Sequence, residues 1–187
     1  MARCAEKRAL FDAQGNPVNT DTADQTDNET FAVKRMTQKL DQNDQPTEQN
    51  PAFDPDALIV EAFGVRERFV DPNAIIADGG DGIDMITIEA GIEIAATLSG
   101  GIGDDVLIGG DVNDELDGGE DNDIIDGGIG DDTMFSGGSD DVLRAGLGAD
   151  SIDGGEGDDQ VDYSASQDAV FLTRVGATVF GTGGLAE

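Results

Sequence analysis

From residue 100 to 162 the chain writes one nine-residue phrase seven times without a gap: GGIGDDVLI, GGDVNDELD, GGEDNDIID, GGIGDDTMF, SGGSDDVLR, AGLGADSID and GGEGDDQVD. An eighth copy, GGDGIDMIT, stands apart at 79–87. Three columns are filled in every copy. Gly holds the second place (Gly80, Gly101, Gly110, Gly119, Gly128, Gly137, Gly146, Gly155) and Asp the sixth (Asp84, Asp105, Asp114, Asp123, Asp132, Asp141, Asp150, Asp159). The eighth place is aliphatic or Met: Ile86, Leu107, Leu116, Ile125, Met134, Leu143, Ile152 and Val161. A period this short and this regular calls for a stack of equivalent units, each burying its apolar face against the next.

Each column has its own physical reading. Glycine at the first, second and fourth places admits positive φ and close backbone approach, so carbonyl oxygens can turn inward toward a cation. Aspartate at the sixth offers a hard anionic oxygen, and carboxylates mixed with backbone oxygens make up the usual calcium shell. The eighth residue is the middle of a three-residue strand, so it faces away from the seventh and ninth. The ninth column holds Asp117, Asp126, Arg144, Asp153 and Asp162, which assigns it to solvent and the eighth to the core.

Charge decides between two readings of such a segment. The formal net charge is -31, and residues 79–162 hold twenty-four Asp and Glu against one base, Arg144. That density ordinarily means a disordered acidic tract. One line of aliphatic side chains cannot order so much chain against carboxylate repulsion, so folding requires cations. The array is therefore expected to be disordered without calcium and folded with it.

The array resembles the repeats-in-toxin (RTX) family of haemolysin-type calcium-binding repeats. The resemblance implies an all-β fold, a parallel β-roll (a right-handed β-helix or solenoid) with a disordered N-terminal region. In such a roll the first six residues of each phrase turn around calcium and the last three form a strand. Two phrases make one coil, which stacks Asp105, Asp123, Asp141 and Asp159 on one edge and Asp114, Asp132 and Asp150 on the other. Calcium between adjacent members gives three sites plus two, about five Ca2+ ions. Backbone carbonyls near Gly101, Gly103, Gly110, Gly119, Gly128, Gly130, Gly137, Gly146, Gly148, Gly155 and Gly157 would complete them. Val112, Asp121 and Ser139 replace the fourth-place glycine, and Ser136 and Ala145 the first, so those turns are expected to distort or bind weakly. Asp84 precedes Asp105 by twenty-one residues and is expected to fall out of register.

Four regions follow: a disordered polar segment (1–50), an N-terminal cap or adaptor (51–78), the roll (79–162, contiguous repeats 100–162) and a strand-rich C-terminal cap (163–187). Within the first, TFAVKRMTQKL places Phe31, Met36 and Leu40 as a marginal helix, whose bases Lys34, Arg35 and Lys39 either face solvent or touch an acidic partner or membrane surface. In the second, Asp54 and Pro55 could open a helix. Equally, LIVEAF and RERFV could be strands covering the first coil. IEAGIEIAATLS after the isolated copy reads as added strands that lengthen that coil. At the C-terminus, AVFL and ATVF flank a Gly-containing link and suit a hairpin. The stop at Glu187 is abrupt for this family and fits a truncated gene, a fragment or a degenerate copy.

The N-terminus has no apolar run of signal-peptide length, and no stretch approaches a membrane span. RTX-like proteins leave bacteria by a one-step exporter that reads an uncleaved C-terminal signal, so export to an extracellular or cell-surface location is the expectation. Cys4 is single, which excludes an internal disulfide. The chain has no His, which excludes a zinc-protease motif and a Ser-His-Asp triad. Zinc and copper lack their ligands. The nearest EF-hand candidate, from Asp121, has Ile125 and Asp126 where an acid or amide and then Gly belong. So acidic a chain does not bind nucleic acid. What remains is a non-enzymatic, exported calcium-binding module. The alternatives are a calcium-dependent adhesive or surface-layer component that self-associates, or a fragment of a larger secreted RTX protein.

Overall fold

The computed structural model describes residues 30–35, 58–62, 65–69, 74–173, 178–180 and 184–185. Three strands come first: β1 (Thr30–Arg35), β2 (Leu58–Ala62) and β3 (Val65–Phe69). The coil then runs through β4 (Ile75–Asp81), β5 (Met85–Ile88), β6 (Ala96–Ile102), β7 (Val106–Ile108) and β8 (Glu115–Glu120). It continues through β9 (Ile124–Asp126), β10 (Thr133–Gly137), β11 (Val142–Arg144), β12 (Ser151–Asp153) and β13 (Gln160–Asp162). It ends with β14 (Ala169–Thr173), β15 (Thr178–Phe180) and β16 (Gly184–Leu185).

From β4 onward, successive strands alternate between two sheets. The even-numbered strands β4 to β16 make one, and the odd-numbered β5 to β15, extended by β1, β2 and β3, make the other. All pairings within the coil are parallel, with Leu107 beside Ile125, Ile125 beside Leu143 and Leu143 beside Val161. On the facing sheet Leu98, Leu116, Met134, Ile152 and Leu172 form the matching column. This is an all-β, parallel β-roll.

The eighth column is the core. Ile86, Leu107, Leu116, Ile125, Met134, Leu143, Ile152 and Val161 are no more than 1% exposed, while flanking Ile124 and Phe135 stay 40% and 41% exposed. Alternation across a three-residue strand produces this contrast, because only its middle side chain can face inward. Burying one such side chain is worth about 1.5–3 kcal/mol. The column therefore supplies cohesion along the whole coil.

Several elements differ from the sequence reading. The chain from Thr30 is a strand: Phe31 and Val33 point into the core with period two, and β1 joins β5 in parallel and β2 in antiparallel. The helical reading failed because Phe31 and Val33 find a ready sheet edge, and tertiary pairing overrides weak helix propensity. The rest of the 1–50 polar segment, with Met36, Leu40 and Cys4, lies outside the described residues, as do Asp54 and Pro55. LIVEA and VRERF take the strand alternative, as the antiparallel pair β2–β3 at the end of the odd-numbered sheet. The coil begins at Ile75, ahead of the isolated phrase.

Asp84 is in register. The three extra residues of its coil are taken up in the link 89–95, where Ile92 tucks fully into the core and the Gly91 N–H donates to Asp111 at 2.7 Å. Gly80 therefore still pairs with Gly101, and Ile86 with Leu107. IEAGIEIAATLS is strand only at its two ends, Ile88 closing β5 and Ala96 to Ser99 opening β6. AVFL and ATVF form no hairpin. β14 lies parallel to β12 and β15 parallel to β13 in the opposite sheet, because both runs simply continue the coil.

Candidate metal centre

Stacked coils bring the sixth-place aspartates into two rows. On one edge Asp84 N–H donates to Asp105 Oδ1 (2.7 Å), Asp105 to Asp123 (2.8 Å), Asp123 to Asp141 (2.8 Å) and Asp141 to Asp159 (3.1 Å). On the other, Ala96 N–H donates to Asp114 Oδ1 (2.7 Å), Asp114 to Asp132 (2.8 Å) and Asp132 to Asp150 (3.1 Å). All eight carboxylates are buried. One oxygen of each carboxylate from Asp105 to Asp159 thus ties its coil to the one before.

The second oxygen has a different environment. Oδ2 of Asp105, Asp123, Asp132 and Asp150 is enclosed and accepts no hydrogen bond among the described residues. An unsatisfied buried anionic oxygen costs several kcal/mol and demands a partner. At the first-place glycines, where no Cβ intervenes, a second oxygen comes close to it. A Cβ added at Gly127 would meet Asp132 Oδ2 and the Ala145 carbonyl oxygen, each at 2.7 Å. One added at Gly118 would meet Asp123 Oδ2 and, at 2.8 Å, the Ser136 carbonyl oxygen. In each of these turns a carboxylate oxygen and a carbonyl oxygen from the next coil converge on a small space kept clear by glycine. Hard oxygens without a proton donor between them fit a divalent cation such as calcium.

Electrostatics agree. Burial first, and neighbouring carboxylates after it, push Asp123 up to about 8 and Asp132 up to about 7 from 3.8, despite the backbone N–H groups that favour the anion. Burial likewise raises Asp105, Asp114, Asp141 and Asp150. Burial thus disfavours the charged form of each of these acids. Arg144 does not supply it: its guanidinium lies 3.7 Å from Asp126 on the outer face.

The second- and fourth-place glycines hold the coils together. Gly101, Gly119, Gly137 and Gly155 all have positive φ, and a Cβ on any of them would strike the second-place carbonyl of the coil before. The carbonyls of Gly110, Gly119, Gly128 and Gly137 accept N–H groups from Ile129, Gly138, Leu147 and Glu156. The carbonyls that approach the aspartates beside the first-place glycines belong to first-place residues of the next coil, Gly100, Gly118, Gly127, Ser136 and Ala145. Asp121 and Ser139 adopt positive φ (76° and 83°) and keep the glycine turn, whereas Val112 does not.

Sequence reasoning missed a second ladder. Fifth-place Asp104, Asn122 and Asp140 accept the N–H groups of Asn122, Asp140 and Asp158, and on the other edge Asn113 and Asp131 accept from Asp131 and Ala149. The run of Asp and Asn in that column was the available signal. Its bonds point from later coil to earlier, opposite to the sixth-place ladder. Among the described residues no three His, Cys, Asp or Glu side chains gather as a metal group; the oxygens that approach one another in each turn are a carboxylate and a backbone carbonyl.

Two consecutive stretches, residues 99–134 and 135–170, each match the family described as RTX calcium-binding nonapeptide repeat (4 copies). Residues 99–170 are RTX repeats. The RTX repeat is a calcium-binding, non-catalytic structural module. No curated protein and no solved structure matches the chain. Among the described residues, no helix is long and apolar enough to cross a membrane.

Proposed function

We propose that the chain is a non-enzymatic calcium-binding module, exported from the cell and folded by the calcium it meets outside. The observation that carries this reading is the buried Oδ2 row, in which Asp105, Asp123 and Asp132 face backbone carbonyls with no donor between them. Sixth-place aspartates would hold the ions, with first-place carbonyls of the following coil as partners. Bound calcium supplies positive charge that cancels the repulsion between stacked carboxylates. The residues do the rest: Oδ1 locks each coil to its predecessor, and glycine keeps the space open.

Linkage explains the cellular logic. An ion that binds only the folded coil stabilises it by about 2.7 kcal/mol per site at a hundredfold excess over Kd. Affinities suited to extracellular modules, about 10⁻⁴ to 10⁻³ M, leave the chain unfolded and threadable through export machinery inside the cell and folded beyond it. Far-UV circular dichroism of the full chain, with chelator and then with millimolar calcium, tests this. Above the raised carboxyl pKa values of about 7 and about 8 a strand signal should appear only with calcium, and identical spectra there would end the reading.

A second reading, calcium-dependent adhesion or surface-layer assembly, is favoured by one feature. Exposed Met85 and Ile124 alternate with half-buried Val106 and Val142 in one row across the outer face of the odd-numbered sheet. Sedimentation with and without calcium separates the two, since a folding module alone stays monomeric.

A further inference from the structure

We infer that the turns of the array are unequal, and that Ser136, Ala145 and Val112 each close one turn to calcium while those headed by Gly79, Gly100, Gly118 and Gly127 stay open. This rests on the calcium reading above and refines it.

In an open turn the space beside the first-place glycine is bounded by two oxygens. At Gly79 an added Cβ would meet Asp84 Oδ2 at 2.5 Å and the Gly100 carbonyl oxygen at 2.6 Å; at Gly127 both contacts are 2.7 Å. Gly100 has the same pair in Asp105 Oδ2 and Gly118 O, and Gly118 has it in Asp123 Oδ2 and Ser136 O. Any side chain at the first place must enter this space.

Ser136 does. It is fully buried, and its hydroxyl donates to the Gly154 carbonyl at 2.8 Å while standing beside the Asp141 carboxylate. The carbonyl that would face an ion already has a proton donor, and that donor sits next to the carboxylate that would share the ion. A neutral hydroxyl thus takes the cation's place. Ala145, also fully buried, carries a methyl group at the corresponding position of the other edge, above Asp150. A methyl brings no oxygen and takes up room an ion needs, so in this turn Asp150 Oδ2 stays enclosed without a hydrogen bond.

Val112 closes its turn by another route. Fourth-place Gly82, Gly103, Gly130, Gly148 and Gly157 all have positive φ, as do Asp121 and Ser139, but a β-branched residue is strongly disfavoured there. The turn 109–114 is rebuilt accordingly. Gly110 alone among the second-place glycines lacks positive φ, and its N–H donates to Asp114 Oδ2 at 2.6 Å. With Oδ1 accepting from Ala96, both oxygens of Asp114 are taken by backbone donors. First- and fourth-place residues therefore set which coils take ions.

Isothermal titration of the full chain with calcium chloride tests the assignment by difference. Ser136→Gly should bind one ion more than the wild type, because it exposes Asp141 and the Gly154 carbonyl to a cation. Gly118→Ser should bind one fewer, because it installs the hydroxyl in an open turn. The two variants move stoichiometry in opposite directions, so loss of folding in one leaves the other decisive. If the wild type binds calcium and either folded variant keeps the wild-type stoichiometry, control by the first-place residue is overturned. A wild type that takes up no calcium overturns the calcium reading itself.

Discussion

With calcium chelated, raising the pH from about 4 to about 9 should unfold the roll. The perturbation acts on the sixth-place carboxyls, above all Asp123 and Asp132, whose pKa values rise on folding from 3.8 to about 8 and about 7, chiefly through burial. Each group's folded-state pKa lies above its unfolded value, so folding takes up protons. The stabilisation is complete below the unfolded pKa and is lost as pH rises through about 7 to 8. At ~1.4 kcal/mol per pH unit, and allowing about half for water reaching the turn edges, the two groups contribute on the order of 5 kcal/mol. That is comparable with the net stability of a whole domain. Calcium competes with protons for the same oxygens, so the loaded protein should show the reverse dependence, losing its ions as pH falls. Far-UV circular dichroism across the range, once with chelator and once with calcium, reads both curves. They should cross. A chelated chain with the same ellipticity at both ends would refute the placement of these carboxyls as buried acids held neutral for want of a cation.

Three further outcomes follow from the same geometry. Leu116→Ala, at a position with no exposed surface, should lower stability in saturating calcium by about 2–5 kcal/mol, read from urea melts; a loss below about 0.5 kcal/mol would mean the column is not the core. Gly101→Ala should abolish stacking, since its Cβ would strike the Gly80 carbonyl at φ +115°, whereas Gly138→Ala meets nothing within 4 Å and should leave the melt within about 0.5 kcal/mol of wild type. Asp132→Asn keeps the acceptor for Asp114 N–H but removes the charge, so titration calorimetry should show one calcium fewer, while Asp117→Asn on the outer face of β8 should leave the count unchanged.

The coil was legible because its determinants are local and repeated. Leu107, Leu116 and Ile125 recur every nine residues, and that spacing alone fixes which side chain of each strand faces inward. The aspartate rows follow once two phrases make a coil. What stayed hidden depends on partners distant in sequence. Phe31 and Val33 became strand because β5 offered an edge more than fifty residues away. Asp84 kept its register because the link 89–95 folds its surplus around Ile92, which no spacing rule reveals. AVFL and ATVF resemble a hairpin locally, and only the columns ending at Ile152 and Val161 assign them to separate sheets. The effect of Val112 was half visible: the missing glycine announced a distorted turn, but not that the Gly110 N–H would seize Asp114.

The two opposed ladders at each edge have a bearing on how this molecule can change its length. Within the contiguous repeats a sixth-place carboxylate reaches back to the coil before, and where the fifth place is Asp or Asn a carboxylate or amide reaches forward, both across eighteen residues. Excising or duplicating eighteen residues within the contiguous repeats leaves every later strand in its own sheet and each sixth-place stitch with an equivalent mate. Removing nine sends all downstream strands to the opposite sheet, away from the end pieces they meet. Growth and shrinkage of the rod are thus quantised in whole turns, and a lineage carrying it can tune reach without inventing a new contact.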